Sequence, residues 1–124
     1  MNNTDNPNEN KNQLGYYKNK IVVIVNEQTQ SQAEDVVLGF QLAPNVVVIG
    51  STTAAADGKV TKFKLPGDVE MWMTGLGVYY PDGSNLQRVG VKIDEFIKPT
   101  ISGIKAGRDE LLERAIEIIE KGQN

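Results

Sequence analysis

The apolar run Ile21-Val22-Val23-Ile24-Val25 is unbroken and β-branched, the pattern of a strand buried on both faces inside a parallel sheet. Polar residues follow at once. Asp35-Val36-Val37-Leu38-Gly39-Phe40-Gln41-Leu42 then carries apolar residues at helical spacing. This predicts a strand over about Ile21 to Asn26 and a helix from about Ser31 to Ala43, ended by Pro44. Val46-Val47-Val48-Ile49 is a second strand of the buried type. Together they make a βαβ unit with parallel strands and a right-handed crossover. Its strand-to-helix turn lies at the carboxyl end of the sheet, where open α/β sheets bind ligands. Ser31 sits in that turn.

The pattern changes after a loop of small and polar residues, Gly50 to Lys59, which the topology places beside the Ser31 turn. Val60 to Leu65 alternates with period 2, as a half-exposed strand does. Pro66-Gly67-Asp68 is turn chemistry, and Val69 to Thr74 is its hairpin partner. Gly75 to Tyr80 predicts a bend and a further short strand, closed by the Pro81-Asp82-Gly83 turn. Gln87 to Val91 reads as a short extended segment and Pro99 to Gly107 as an irregular connection. Arg108 to Lys121 is an amphipathic helix with Leu111, Leu112, Ala115, Ile116, Ile118 and Ile119 on one face. Its acidic residues lie at the positive end, Lys121 lies at the negative end, and Gly122 is placed to stop it. The Met71, Trp72, Met73, Tyr79 and Tyr80 stripe reads as core or sheet-to-helix packing sooner than as a substrate groove.

At 124 residues the chain is one domain by length. Residues 1–15 form an asparagine-rich polar tail that cannot bury enough apolar surface to order itself; residues 16–124 form the domain. A net charge of −3 offers no basic patch, which argues against nucleic acid as a partner. With no cysteine and no histidine, neither a disulfide, a thiolate nucleophile, a His-based zinc site nor a Ser-His-Asp triad can be completed from within the chain. No apolar run approaches the ~20 residues of a membrane helix. The start lacks the features of a signal peptide. Taken literally the chain is soluble and untargeted, although a piece of a longer protein would leave the compartment open.

Ser31 has two readings. Ser31-Gln32-Ala33-Glu34 is a capping box, as is Thr29-Gln30-Ser31-Gln32. The same segment, Thr29 to Glu34 between two valine-rich strands, resembles peptidase family S41, the C-terminal processing (tail-specific) proteases, whose nucleophile lies in a T-x-S-x-x-E turn before a helix. Val78-Tyr79-Tyr80-Pro81-Asp82-Gly83 and Gln87 to Asp94 resemble the family's tyrosine-containing strand, P-D-G turn and G-V-x-P-D-I segment. Pro99-Thr100 and Gly107 to Ile118 resemble its closing P-T and final helix. The resemblance implies an α/β fold: a βαβ core of a ClpP/crotonase-like peptidase domain, with an antiparallel extension and a C-terminal helix. It also implies a serine endopeptidase acting through an acyl-enzyme on Ser31, with no cofactor or metal and with a peptide or protein as substrate. A cell-envelope or periplasmic location and a possible homo-oligomer are further expectations.

Backbone N–H groups and the positive dipole end at a helix N-terminus favour a developing oxyanion, and the Gln32 N–H is the candidate donor. Two departures bear on catalysis. Family members with a Ser-Lys dyad carry a lysine in a G-E-x-T-x-G-K loop; aligned from Gly50, that position is Ala56. Lys59 is therefore the candidate base, effective only if burial strips its charge, and otherwise a solvated lysine at a hairpin entrance. Gln87 is a candidate orienting partner, Asp57 and Gly58 shape the loop, Asp94 is structural, and Glu34 is a cap with a lesser chance of a role at the site. The second departure is extent. The chain looks like the C-terminal half of the peptidase domain, so little turnover is expected of it alone. The alternative is a non-catalytic peptide-binding module on a degenerate peptidase scaffold. Nothing offers the nucleotide cradle that an acyl-CoA site would need.

Overall fold

The computed structural model describes residues 17–122, so the expected polar tail lies outside the described residues. The elements run β1 (Ile21–Val25), α1 (Gln32–Phe40), β2 (Val46–Gly50), β3 (Lys59–Leu65), β4 (Val69–Leu76), β5 (Glu95–Phe96), α2 (Ile101–Lys105) and α3 (Glu110–Lys121). β1, β2 and β5 form a parallel sheet in the order β1-β2-β5, and β3 and β4 form a separate antiparallel hairpin. The βαβ unit is as the apolar pattern predicts, with Ile21 opposite Val46 and Val25 opposite Gly50.

Alternation along the strands divides the core. Val23, Val25, Val46 and Val48 cluster with Val37 and Leu38 of α1, and Tyr80, Leu86 and Val91 close over them. Ile49, fully buried, points to the other side of β2 by the same alternation. α3 lies against β1 and β2. Arg114 ties α3 to β5, its Nε and Nη2 donating to the two oxygens of Glu95 at 2.6 and 2.9 Å. These bonds hold the Glu95 carboxyl below its ordinary range. Gly50 is required where β2 ends: at φ 127° its missing Cβ would lie 1.9 Å from the Val25 carbonyl oxygen.

Four expectations need correction. The bend and strand expected over Gly75 to Tyr80 is instead the end of β4 at Leu76, followed by one isolated bridge between Tyr79 and Asn85. Gln87 to Val91 is not extended: Arg88 takes φ 68°, and Gly90 N–H donates to the Leu86 carbonyl at 2.8 Å. The Pro99–Gly107 connection contains α2, where the Thr100 hydroxyl caps the helix by accepting from Gly103 N–H. The aromatic and methionine stripe is not core. Met71, Trp72, Met73 and Tyr79 are exposed, and only Tyr80 is buried.

That exposed hairpin is two-faced. Phe63 opposes Met71 and Leu65 opposes Val69 on an apolar face. Lys62 opposes Trp72 and Lys64 opposes Glu70 on a polar one. There the Lys62 Nζ lies 3.9 Å from the centre of the Trp72 ring and 3.6 Å from Glu70. No helix among the described residues is long and apolar enough to cross a membrane.

Candidate active site

Between β1 and α1 the chain turns through a side-chain-stitched loop. Asn26 N–H donates to the Thr29 hydroxyl and Gln28 N–H to the Asn26 side-chain oxygen. Asn and Thr favour such turns because their short polar side chains replace backbone partners. The turn delivers Ser31 at φ 54° and ψ −125°, a conformation costly for any residue with a Cβ. This is the strained strand-to-helix geometry that lifts a serine hydroxyl out of its turn. Ser31 is exposed; it forms the expected capping box with Glu34, in which the Ser31 side chain faces the Glu34 N–H without making a cap hydrogen bond and the Glu34 carboxylate accepts from Ser31 N–H. Gln32, also exposed, opens α1, and among the described residues its N–H donates to no protein acceptor. A hydroxyl and a free N–H therefore stand side by side at the positive end of a helix, where a developing oxyanion is stabilised.

Glu34 caps the turn in place of Ser31. Its Oε2 accepts from Ser31 N–H at 3.1 Å and from Ala56 N–H at 3.1 Å. Its Oε1 accepts from Ala55 N–H at 2.9 Å and from the Thr53 hydroxyl at 2.5 Å. Ala54 N–H adds a bond to the Thr29 carbonyl at 2.9 Å. The small-residue loop after β2 thus lies against the Ser31 turn, as the topology predicts, and Ala56 shares an acceptor oxygen with Ser31. Ala56, which the alignment from Gly50 puts at the position of the dyad lysine, therefore lies on the loop that meets the Ser31 turn.

The other candidates are placed differently. Lys59 begins β3, faces solvent and is paired across the hairpin with Leu76; the desolvation that a lysine base needs is not present there. Gln87 is half-buried, and its Nε2 packs beside Gly58, 3.7 Å from the site a Cβ would occupy. Arg88 N–H donates to the Ala55 carbonyl at 2.7 Å, so the Gln87 turn hangs on the same loop. Asp94 accepts from Val48 N–H at 2.7 Å through its Oδ2.

Two features were not legible beforehand. Glu34 is completely buried, more than a surface cap requires, although its position three residues after a serine was a signal. Asp57, only 3% exposed, accepts from Gly58 N–H through Oδ1 while its Oδ2 has no partner among the described residues. Burial pushes its pKa up, and the neighbouring Asp35 and Glu34 push it further. No group among the described residues has the composition to hold a metal ion. A cleft of about 280 Å³ opens at the carboxyl ends of β1 and β2, lined by Asn26, Glu27, Ser51, Ile97, Lys98 and Leu111 among others. Across it Lys98 donates to Glu27, whose pKa falls to about 2 as a result. A larger cavity of about 380 Å³, between the end of α1 and Tyr80, is lined by neither Ser31 nor its loop.

The family model for peptidase family S41 matches residues 1–97. The chain belongs to peptidase family S41. Its similarity to solved structures agrees with that membership. A candidate peptidase from Parabacteroides merdae is 25% identical with a TM-score of 0.71, over 81% of this chain and 31% of that one. Mature CPAF in complex with lactacystin is 25% identical with a TM-score of 0.66, over 77% of this chain and 19% of that one. A search of curated proteins gave no match. The S41 chain therefore spans about a third or less of the length of these structures. The S41 model ends before Pro99-Thr100 and the final helix, the last segments in which the sequence resembles the family.

Proposed function

We propose that this S41 chain supplies the nucleophile for serine-type hydrolysis of peptide bonds. Ser31 Oγ attacks the substrate carbonyl carbon, its proton passes to a base, and the Gln32 N–H donates to the oxyanion. Collapse expels the amine, which takes up a proton, and leaves an acyl-serine that water hydrolyses. The observation that carries this reading is the pairing of an exposed, uncapped hydroxyl at φ 54°, ψ −125° with an unengaged N–H one residue on. The exposure of Lys59 favours a base from outside these residues.

Reaction with an activated ester tests it. Acylation of Ser31 by p-nitrophenyl acetate, with imidazole added as the missing base, gives a nitrophenolate burst equal to the protein present, and Ser31→Ala gives none. An equal, slow and burst-free release from both proteins overturns the proposal.

Ala56 beside Ser31 favours a second reading, a peptide-binding module without turnover. It predicts that peptide affinity survives in Ser31→Ala and in Lys59→Ala while the unaltered chain cleaves nothing.

A further inference from the structure

Three segments carry the candidate chemistry: the Ser31 elbow, the loop from Ser51 to Gly58 and the turn holding Gln87. One buried side chain reaches all of them. Beyond the elbow and loop amides it binds directly, Glu34 extends through the Thr53 hydroxyl, which accepts from Val91 N–H at 3.2 Å. Among the described residues, four that are not glycine have positive φ; two of these, Ser31 and Ala55, donate to Glu34, and a third, Arg88, donates its N–H to the Ala55 carbonyl. Such backbone persists only where the surroundings over-determine it. Four donors and no acceptor surround the carboxyl group, and each of its two oxygens accepts from two of them. Capping α1 needs one of those bonds. The three to the loop need another explanation.

We propose that Glu34 is a positioning residue, a buried clamp that fixes the Ser31 hydroxyl relative to the loop and to the Gln87 turn. The proposal rests on the reading of Ser31 as a nucleophile, but the clamp has consequences that do not. In Glu34→Gln, whichever way the amide is turned, its NH2 meets Ala55 N–H on one side or the Ser31 and Ala56 N–H groups on the other.

The test combines two measurements on the whole chain. Amide hydrogen exchange, which needs no catalysis, should show Ser31, Ala55 and Ala56 protected, with at least one of them losing protection in Glu34→Gln. Imidazole-assisted labelling of Ser31 by a fluorophosphonate should slow about tenfold at an unchanged half-saturating probe concentration, the rate equivalent of ~1.4 kcal/mol. A purely structural role would not divide the kinetics that way. If Glu34→Gln does not fold, Thr53→Val decides: Val91 N–H should lose protection while Ser31 N–H keeps it. If the unaltered chain never labels, the nucleophile reading fails and the exchange pattern alone judges the clamp. Unchanged exchange at Ser31, Ala55 and Ala56 in folded Glu34→Gln, or at Val91 in Thr53→Val, overturns the proposal.

Discussion

Replacing Ser31 by glycine probes the elbow without asking for catalysis. At φ 54° and ψ −125° a residue with a Cβ carries strain of about 1–3 kcal/mol, which glycine does not. Against this stands the greater freedom of glycine in the unfolded chain, about 0.5–1 kcal/mol. The lost hydroxyl adds little, because it is exposed and caps nothing. Ser31→Gly should therefore stabilise the fold by about 1 kcal/mol. Ser31→Ala keeps the Cβ and the strain, and should stay within about 0.5 kcal/mol of the parent. Urea unfolding followed by far-ultraviolet circular dichroism reads the difference as a higher midpoint for glycine at equal slope. A glycine variant less stable than the alanine one would refute the reasoning, for it would mean that Ser31 has ordinary cap geometry and that its hydroxyl supports the helix.

Asp57→Asn tests the buried, half-partnered carboxyl. Its pKa is raised above the ordinary 3.8, so the folded chain loses stability as pH climbs from that value through the folded-state pKa and stays penalised above it. Asparagine keeps the acceptor for Gly58 and removes the buried charge that Asp35 and Glu34 oppose, so it should stabilise by about 1 kcal/mol at pH 7 and by less near pH 4; a variant weaker than the parent at pH 7 would contradict this. Gly50→Ala drives a Cβ into the Val25 backbone and should cost 3 kcal/mol or more, on the order of overpacking plus positive-φ strain; a thermal midpoint unchanged from the parent would show that the end of β2 can shift. Trp72, the only tryptophan, is 59% exposed, so its fluorescence should be quenched readily by iodide, and resistance to quenching would mean that the hairpin is covered.

The parts of the fold written in local pattern were legible in the sequence. β-branched runs and Pro44 delimit the βαβ unit, and period 2 around Pro66-Gly67-Asp68 gives the hairpin. Helical periodicity gives α3. The failures share one physical origin, in that tertiary partners set the conformation. Arg88 carries none of the residue chemistry of a positive-φ turn, and its N–H bond to Ala55, distant in sequence, compensates. Met71, Trp72 and Met73 have the composition of a core, but composition does not say what lies opposite, and here solvent does. The candidate site divides in the same way. Ser31 was findable because the turn before a helix is a local motif, and the free N–H of Gln32 follows from helix geometry. The further reach of Glu34 was not, because Thr53, Ala55 and Ala56 meet it only after the chain has crossed α1 and β2.

The central claim is that Ser31 is chemically distinct from the other hydroxyls of the chain. Treatment with a fluorophosphonate in the presence of imidazole, followed by peptide mapping in a mass spectrometer, addresses it most directly. The account predicts one adduct, on Ser31, forming faster as imidazole is raised and absent from Ser31→Ala. Adducts spread over exposed serines and threonines, with Ser31 no more reactive than Ser84 or Ser102, would contradict it.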